Sequence, residues 1–276
     1  LMLKPPLLLF YISIIICFYI VVSYGQEENE GWYQFDSTQA LYISNVQCLR
    51  SQGDYGYQIT IHVFVDENNQ QKTKLSLGTQ PSLDAVKWGG YDRLDIIFWP
   101  CPVCSLETNY IAQNSFIDAL VHYYENPHNI CIWMSVANSN QLGLLHEKNR
   151  WLIPGHQGVQ RTYEQNQQAF FVLIASMDAY AQWKGWPPGL PVGVFTTKQD
   201  WTAIMGDDYE EGAQYPLWSA LTPNSNPPTN MKLISPTHPF QPFGGWTNQT
   251  RYQFSQGKTY CGAIMGQSKC FDEGNH

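Results

Sequence analysis

The stretch Asn129-Ile130-Cys131-Ile132-Trp133-Met134-Ser135-Val136-Ala137-Asn138 decides the fold. It is a short, unbroken apolar run, entered from His128 and left through Asn138-Ser139-Asn140. Such a run predicts a strand buried on both faces, as in the middle of a parallel sheet or barrel. Chemistry in parallel α/β folds gathers at the C-terminal ends of such strands. This one offers Ser135 and Ala137 there, with no carboxylate and no histidine.

Upstream, Trp32-Tyr33-Gln34-Phe35-Asp36-Ser37 alternates aromatic and polar residues and predicts a first strand whose last inward group is Asp36. Thr38 to Arg50 carries Leu41, Val46 and Leu49 at roughly helical spacing. Tyr57 to Asp66 and Arg93 to Trp99 predict the second and third strands, the latter stopped by Pro100 and Pro102. Leu83 to Trp88 predicts a short helix, and Thr108 to Glu125 a longer one that ends at Asn126-Pro127.

Beyond the opening stretch, Val159 to Trp183 predicts a long helix and Val192 to Thr197 a fifth strand. Asp200 to Ile204 looks like one helical turn at most. The period then changes. Tyr215 to Leu221, Phe240 to Trp246 and Tyr260 to Met265 predict three strands joined by Pro/Gly/Asn loops too short for full helices. No repeat and no linker divides the chain, so residues 26–276 are expected to form one domain.

Residues 1–25 predict a secretory signal peptide. Lys4 precedes an apolar segment from Leu7 to Val22, and Ser23 and Gly25 are the small residues before a cut at Gln26. Leu7 to Val22 is shorter than the ~20 residues of a spanning helix. After cleavage 14 basic and 23 acidic residues remain, a charge of −9 that disfavours nucleic acid and anionic membranes. Cys48, Cys101, Cys104, Cys131, Cys261 and Cys270 make an even set, for which disulfides are the default in an oxidising compartment, with the pairing left open. Cys101-Pro102-Val103-Cys104 has the spacing of a redox or zinc motif, but no second Cys pair or His cluster accompanies it, so no metal and no cofactor is expected. Asn248-Gln249-Thr250 is a glycosylation sequon and implies a surface position.

Several of these segments together resemble one family. Val192-Gly193-Val194-Phe195-Thr196-Thr197-Lys198-Gln199-Asp200-Trp201, then Leu217-Trp218 and Phe243-Gly244-Gly245-Trp246, resemble the lysozyme-like proteins of nematodes and amoebae in glycoside hydrolase family 25. Phe35-Asp36-Ser37, Ile132-Trp133 and Tyr260-Cys261-Gly262 follow the same order. The resemblance covers essentially all of residues 26–276. It implies a single flattened, TIM-like (β/α)5β3 barrel of α/β class that acts on bacterial peptidoglycan. It also implies an acidic cluster at the strand ends: an Asp on strand 1, an Asp-x-Glu on strand 4 and an Asp on strand 8. Asp36 matches the first. Ser135-Val136-Ala137 stands at the second, and Gly266 to Cys270 supplies no acid at the third.

Glycoside hydrolysis needs a carboxylic acid to protonate the leaving oxygen and a second group to stabilise the oxocarbenium-like centre. The candidate catalytic residues are therefore Asp36 and, as a second acid, Asp66 at the end of strand 2, with Glu107 after strand 3 as a further source. Asp66 beside Glu67 reads more cheaply as a solvated loop acid, Asp200 as a helix cap, and Asp95 as a paired structural acid. Trp99, Trp133, Trp218 and Trp246 are candidate sugar-stacking residues, although some of them are expected to be barrel packing. Two functions stay open. One is a lysozyme-like glycosidase of innate defence or bacterial digestion with its acids largely missing. The other is a non-catalytic barrel that binds cell-wall glycans or serves as an immune effector. The expected setting is extracellular, or a lysosomal or vesicular lumen, with a monomer acting on a polysaccharide.

Overall fold

The computed structural model describes residues 33–37, 39–51, 58–66, 68, 73–91, 93–123, 130–138, 151–152, 161–185, 192–220 and 240–271. The expected signal peptide lies outside them. Eight strands close in sequence order into one barrel: β1 (Tyr33–Ser37), β2 (Gln58–Phe64), β3 (Arg93–Trp99), β4 (Ile130–Val136), β5 (Val192–Thr196), β6 (Leu217–Ser219), β7 (Arg251–Tyr260) and β8 (Ala263–Cys270). Neighbours from β1 to β7 pair in parallel, and β8 runs antiparallel to both β7 and β1. Among the described residues, five α-helices alternate with the first strands: α1 (Ile43–Arg50), α2 (Thr79–Trp88), α3 (Leu106–Tyr123), α4 (Tyr163–Trp183) and α5 (Lys198–Met205). This is the (β/α)5β3 order.

Alternation along each strand separates two environments. Outward residues such as Phe35, Ile59, Ile61, Ile96, Phe98, Ile132, Met134 and Val194 join the helices in the main apolar core. Inward residues Phe64, Ile97, Trp99, Cys131, Trp133, Ala137, Phe195, Trp218 and Ala220 form a second cluster inside the barrel. β4 is buried along its whole length, which is why its sequence is apolar on both faces. Gly193 on β5 is there because Trp133 needs the space: a Cβ at that position would lie 2.4 Å from the indole ring.

The last third departs from the sequence expectation in three places. Phe240 to Trp246 is no barrel strand. Gly244 and Gly245 have positive φ, and Phe243 and Trp246 close a local turn packed on Trp201. Tyr260 to Met265 straddles the β7–β8 hairpin turn, where Cys261 and Gly262 both have positive φ, as a two-residue type I′ loop requires. The segment after β5 forms a full eight-residue helix, α5, and not one turn. Thr197 Oγ1 caps it by accepting from the Asp200 backbone N–H at 3.0 Å.

Two disulfides form, Cys48–Cys261 and Cys101–Cys104. Cys131 and Cys270 are buried on β4 and β8 and are in no disulfide, so the default pairing of all six cysteines does not hold. Cys270 instead donates to Gln34 Oε1 at 3.3 Å. Among the described residues, no helix is long and apolar enough to cross a membrane, and no cluster of His, Cys, Asp or Glu is arranged to hold a metal ion. Asn248 of the sequon is exposed.

Candidate active site

The strands carry two carboxylates, Asp36 on β1 and Asp95 on β3, and both are 1 % exposed. Asp95 belongs to the lower barrel. It forms an ion pair with Arg251 of β7 and accepts from Gln58 Nε2 at 2.7 Å. The guanidinium also donates to Gln34 Oε1 at 3.1 Å and lies over Trp133 and Trp218, 4.7 and 5.4 Å from their ring centroids. A buried charge is tolerated only when paired and hydrogen-bonded, and this pair meets both conditions. Asp95 is therefore the structural acid expected from the sequence.

Asp36 is surrounded by donors. Gln253 Nε2 of β7 donates to Oδ1 at 2.9 Å, and Ser268 Oγ of β8 donates to Oδ2 at 3.3 Å. His62 of β2 brings Nε2 to 3.8 Å from Oδ1. The indole N–H of Trp99 donates to His62 Nδ1 at 2.9 Å, so the ring proton sits on Nε2, facing Asp36. Trp99, His62 and Asp36 thus form a buried line of polar contacts across β3, β2 and β1. Both Asp36 oxygens are engaged by side chains of β7 and β8.

The C-terminal end of β4 is fixed as firmly. Ser135 is fully buried, and among the described residues its Oγ has no hydrogen-bond partner. Its carbonyl accepts from Trp151 Nε1 at 3.0 Å. Asn138 donates its backbone N–H to Asp200 Oδ1 at 3.2 Å, which ties the end of β4 to the start of α5. Asp200 therefore stands at N3 of the helix and braces two strand ends, with Thr197 as the cap itself.

The sequence candidates separate. Asp66 lies just past β2, half-buried, and its Oδ1 accepts from the Asn68 backbone N–H at 3.0 Å within the turn. Glu107 is exposed in the first turn of α3. Trp99 stacks on His62 and Phe64. Trp133 and Trp218 pack edge-on against each other at 5.4 Å. Trp246 packs on Trp201 and Phe243 outside the barrel. All four tryptophans are buried, so a sugar would have to displace protein neighbours to stack on them. Gln253 and Ser268 were not legible as site residues, because polar β7 and β8 resemble loop sequence.

A groove of about 730 Å³ opens beside the end of β6. Its lining includes Tyr163, Phe240, Phe243 and Tyr252, with Lys198 and Asp207 on its polar side. Aromatic faces with a few polar groups are how proteins hold a sugar or peptide.

The chain is a closed (β/α)5β3 barrel with a buried acid, Asp36, near the end of its first strand. The model of the family described as "Lysozyme-like protein 1" matches residues 158–254. "Probable GH family 25 lysozyme 2" of Dictyostelium discoideum is 24 % identical over 82 % of this chain and 85 % of its own length. Lysozyme 4 of the same organism is 23 % identical over 82 % and 84 %. The crystal structure of the bacterial lysozyme from Streptomyces coelicolor shares the fold, with a TM-score of 0.53 at 14 % identity over 87 % of this chain and 92 % of that one. The chain is thus similar in sequence to glycoside hydrolase family 25 lysozymes of Dictyostelium and, over residues 158–254, to the lysozyme-like family, and it shares its fold with a bacterial lysozyme.

Proposed function

We propose that this protein is a secreted, peptidoglycan-recognising barrel of defence or bacterial digestion in which glycan binding has outlasted efficient hydrolysis. The observation that carries the reading is the state of Asp36. It is buried with donors on both oxygens, and the strand-4 position that the family resemblance assigns to acids is held by Ser135 and Ala137. Losing an acid–base group slows such reactions on the order of 10²–10⁴-fold. Asp95 does not replace it, because Arg251 already holds its charge. Binding is supported by the aromatic groove beside β6. Substituting Tyr163 and Phe240 by Ala there is expected to weaken binding to purified cell walls by roughly two- to tenfold per ring.

The approach of His62 to Asp36 favours a second reading, a slow glycosidase in which Asp36 works with the Nε2 proton of His62. Clearing of a turbid bacterial-wall suspension separates the two. Clearing by the wild type that Asp36→Asn abolishes supports the glycosidase. Capture of walls without clearing supports the binding protein. Secretion is tested by the N-terminal sequence of protein recovered from medium, expected to begin at Gln26.

A further inference from the structure

We propose that the Cys101–Cys104 disulfide is a thiol–disulfide exchange site, entered by small thiols that carry carboxylates and dock on Arg161. As a staple this bond contributes little. A cross-link stabilises mainly by shortening the loops open to the unfolded chain, and it joins residues three apart, whereas Cys48–Cys261 spans 213. The loop is also held without it. Asn109 of α3 accepts from the Cys101 N–H at 2.9 Å and donates to the carbonyls of Cys101 and Ser105 at 2.9 and 3.1 Å.

The two sulfurs are presented unequally. Cys101 is fully buried, whereas Cys104 is half-buried and lines a cavity of about 440 Å³ between α3 and α4. The opposite wall carries Arg161 and Gln165. Arg161 donates to the carbonyls of Pro102 and Gln165, and among the described residues its buried Nε–H makes no hydrogen bond. Among the described residues no carboxylate pairs with it, and Glu164 is engaged by Thr162. Burial pulls the guanidinium below its usual pKa. A cavity lined by both a cation and a disulfide cysteine suits a thiol with carboxylates.

A thiolate R–S⁻ attacks Cys104 Sγ and forms a Cys104–S–S–R bond. The Cys101–Cys104 bond breaks, and its electron pair leaves on Cys101 Sγ, which takes up the proton that the attacking thiol gave up. A second R–S⁻ attacks the R sulfur, releasing R–S–S–R and the Cys104 thiolate, so two thiols are oxidised for one disulfide reduced.

The test uses the oxidised full-length protein, glutathione as the anionic thiol and cysteamine as the cationic one, with peptide mass spectrometry locating the adducts. Glutathione is expected on Cys104, and Arg161→Gln is expected to slow its addition roughly tenfold while leaving cysteamine unchanged. Arg161→Lys should retain most of the rate. Where Arg161→Gln fails to fold, wild-type protein with glutathione against its diethyl ester asks the same question, the ester being expected to react more slowly at Cys104 but not at Cys48–Cys261. Adduct on Cys101, equal slowing of both thiols, or an ester as fast as the acid would overturn the proposal.

Discussion

Asp36 and Asp95 are both buried strand carboxylates, yet their neighbours give them different work. Asp95 faces a guanidinium, whereas Asp36 faces neutral donors and a histidine. Arg251→Met strands Asp95 without its cation and is expected to destabilise by about 3–5 kcal/mol, read as a lower urea midpoint at an unchanged slope. Ser135→Ala is expected to change stability by less than about 1 kcal/mol, because it removes a buried hydroxyl that makes no hydrogen bond among the described residues. A larger loss in the same titration would show that Ser135 has a partner in solution. Asp36 was legible in the sequence from its place at a strand end. Its partners were not, since Gln253 and Ser268 lie 217 and 232 residues away and reach it only once the barrel closes.

The elements were legible where burial is two-sided. β2 to β5 are apolar runs between helices, and their order and direction follow from that alone. The signal fades on β7, where the inward residues Arg251, Gln253 and Ser255 are polar and the outward Tyr252 and Phe254 are aromatic. That inverts the usual pattern, because this side of the barrel interior holds the Asp36 and Asp95 networks. α5 was underestimated for a different reason. Its length depends on a cap and on the brace from Asp200 to β4, which local periodicity does not record. Thr197→Ala is expected to cost about 1 kcal/mol and to loosen the end of β4, measured as faster amide exchange at Asn138.

Across the whole molecule, the hairpin that completes the barrel is fastened to α1. Cys48–Cys261 and the bond from Asn45 Nδ2 to the Cys261 carbonyl at 2.8 Å hold the β7–β8 turn, and β8 carries Ser268 to Asp36. Replacing both cysteines by Ser is expected to lower stability by about 2–5 kcal/mol, with the loss visible in thermal unfolding. The same closure makes the site a consequence of the fold, since three strands must meet before Asp36 has its donors. We propose that the wall polymer binds the groove beside β6 and is not cleaved efficiently at Asp36. The most direct test is the release of reducing ends from purified peptidoglycan by wild type and Asp36→Asn, with co-sedimentation followed in the same tubes. Both proteins are expected to pellet with the polymer and to release reducing ends only at the background rate. Release well above background by the wild type, lost in Asp36→Asn, would contradict the proposal.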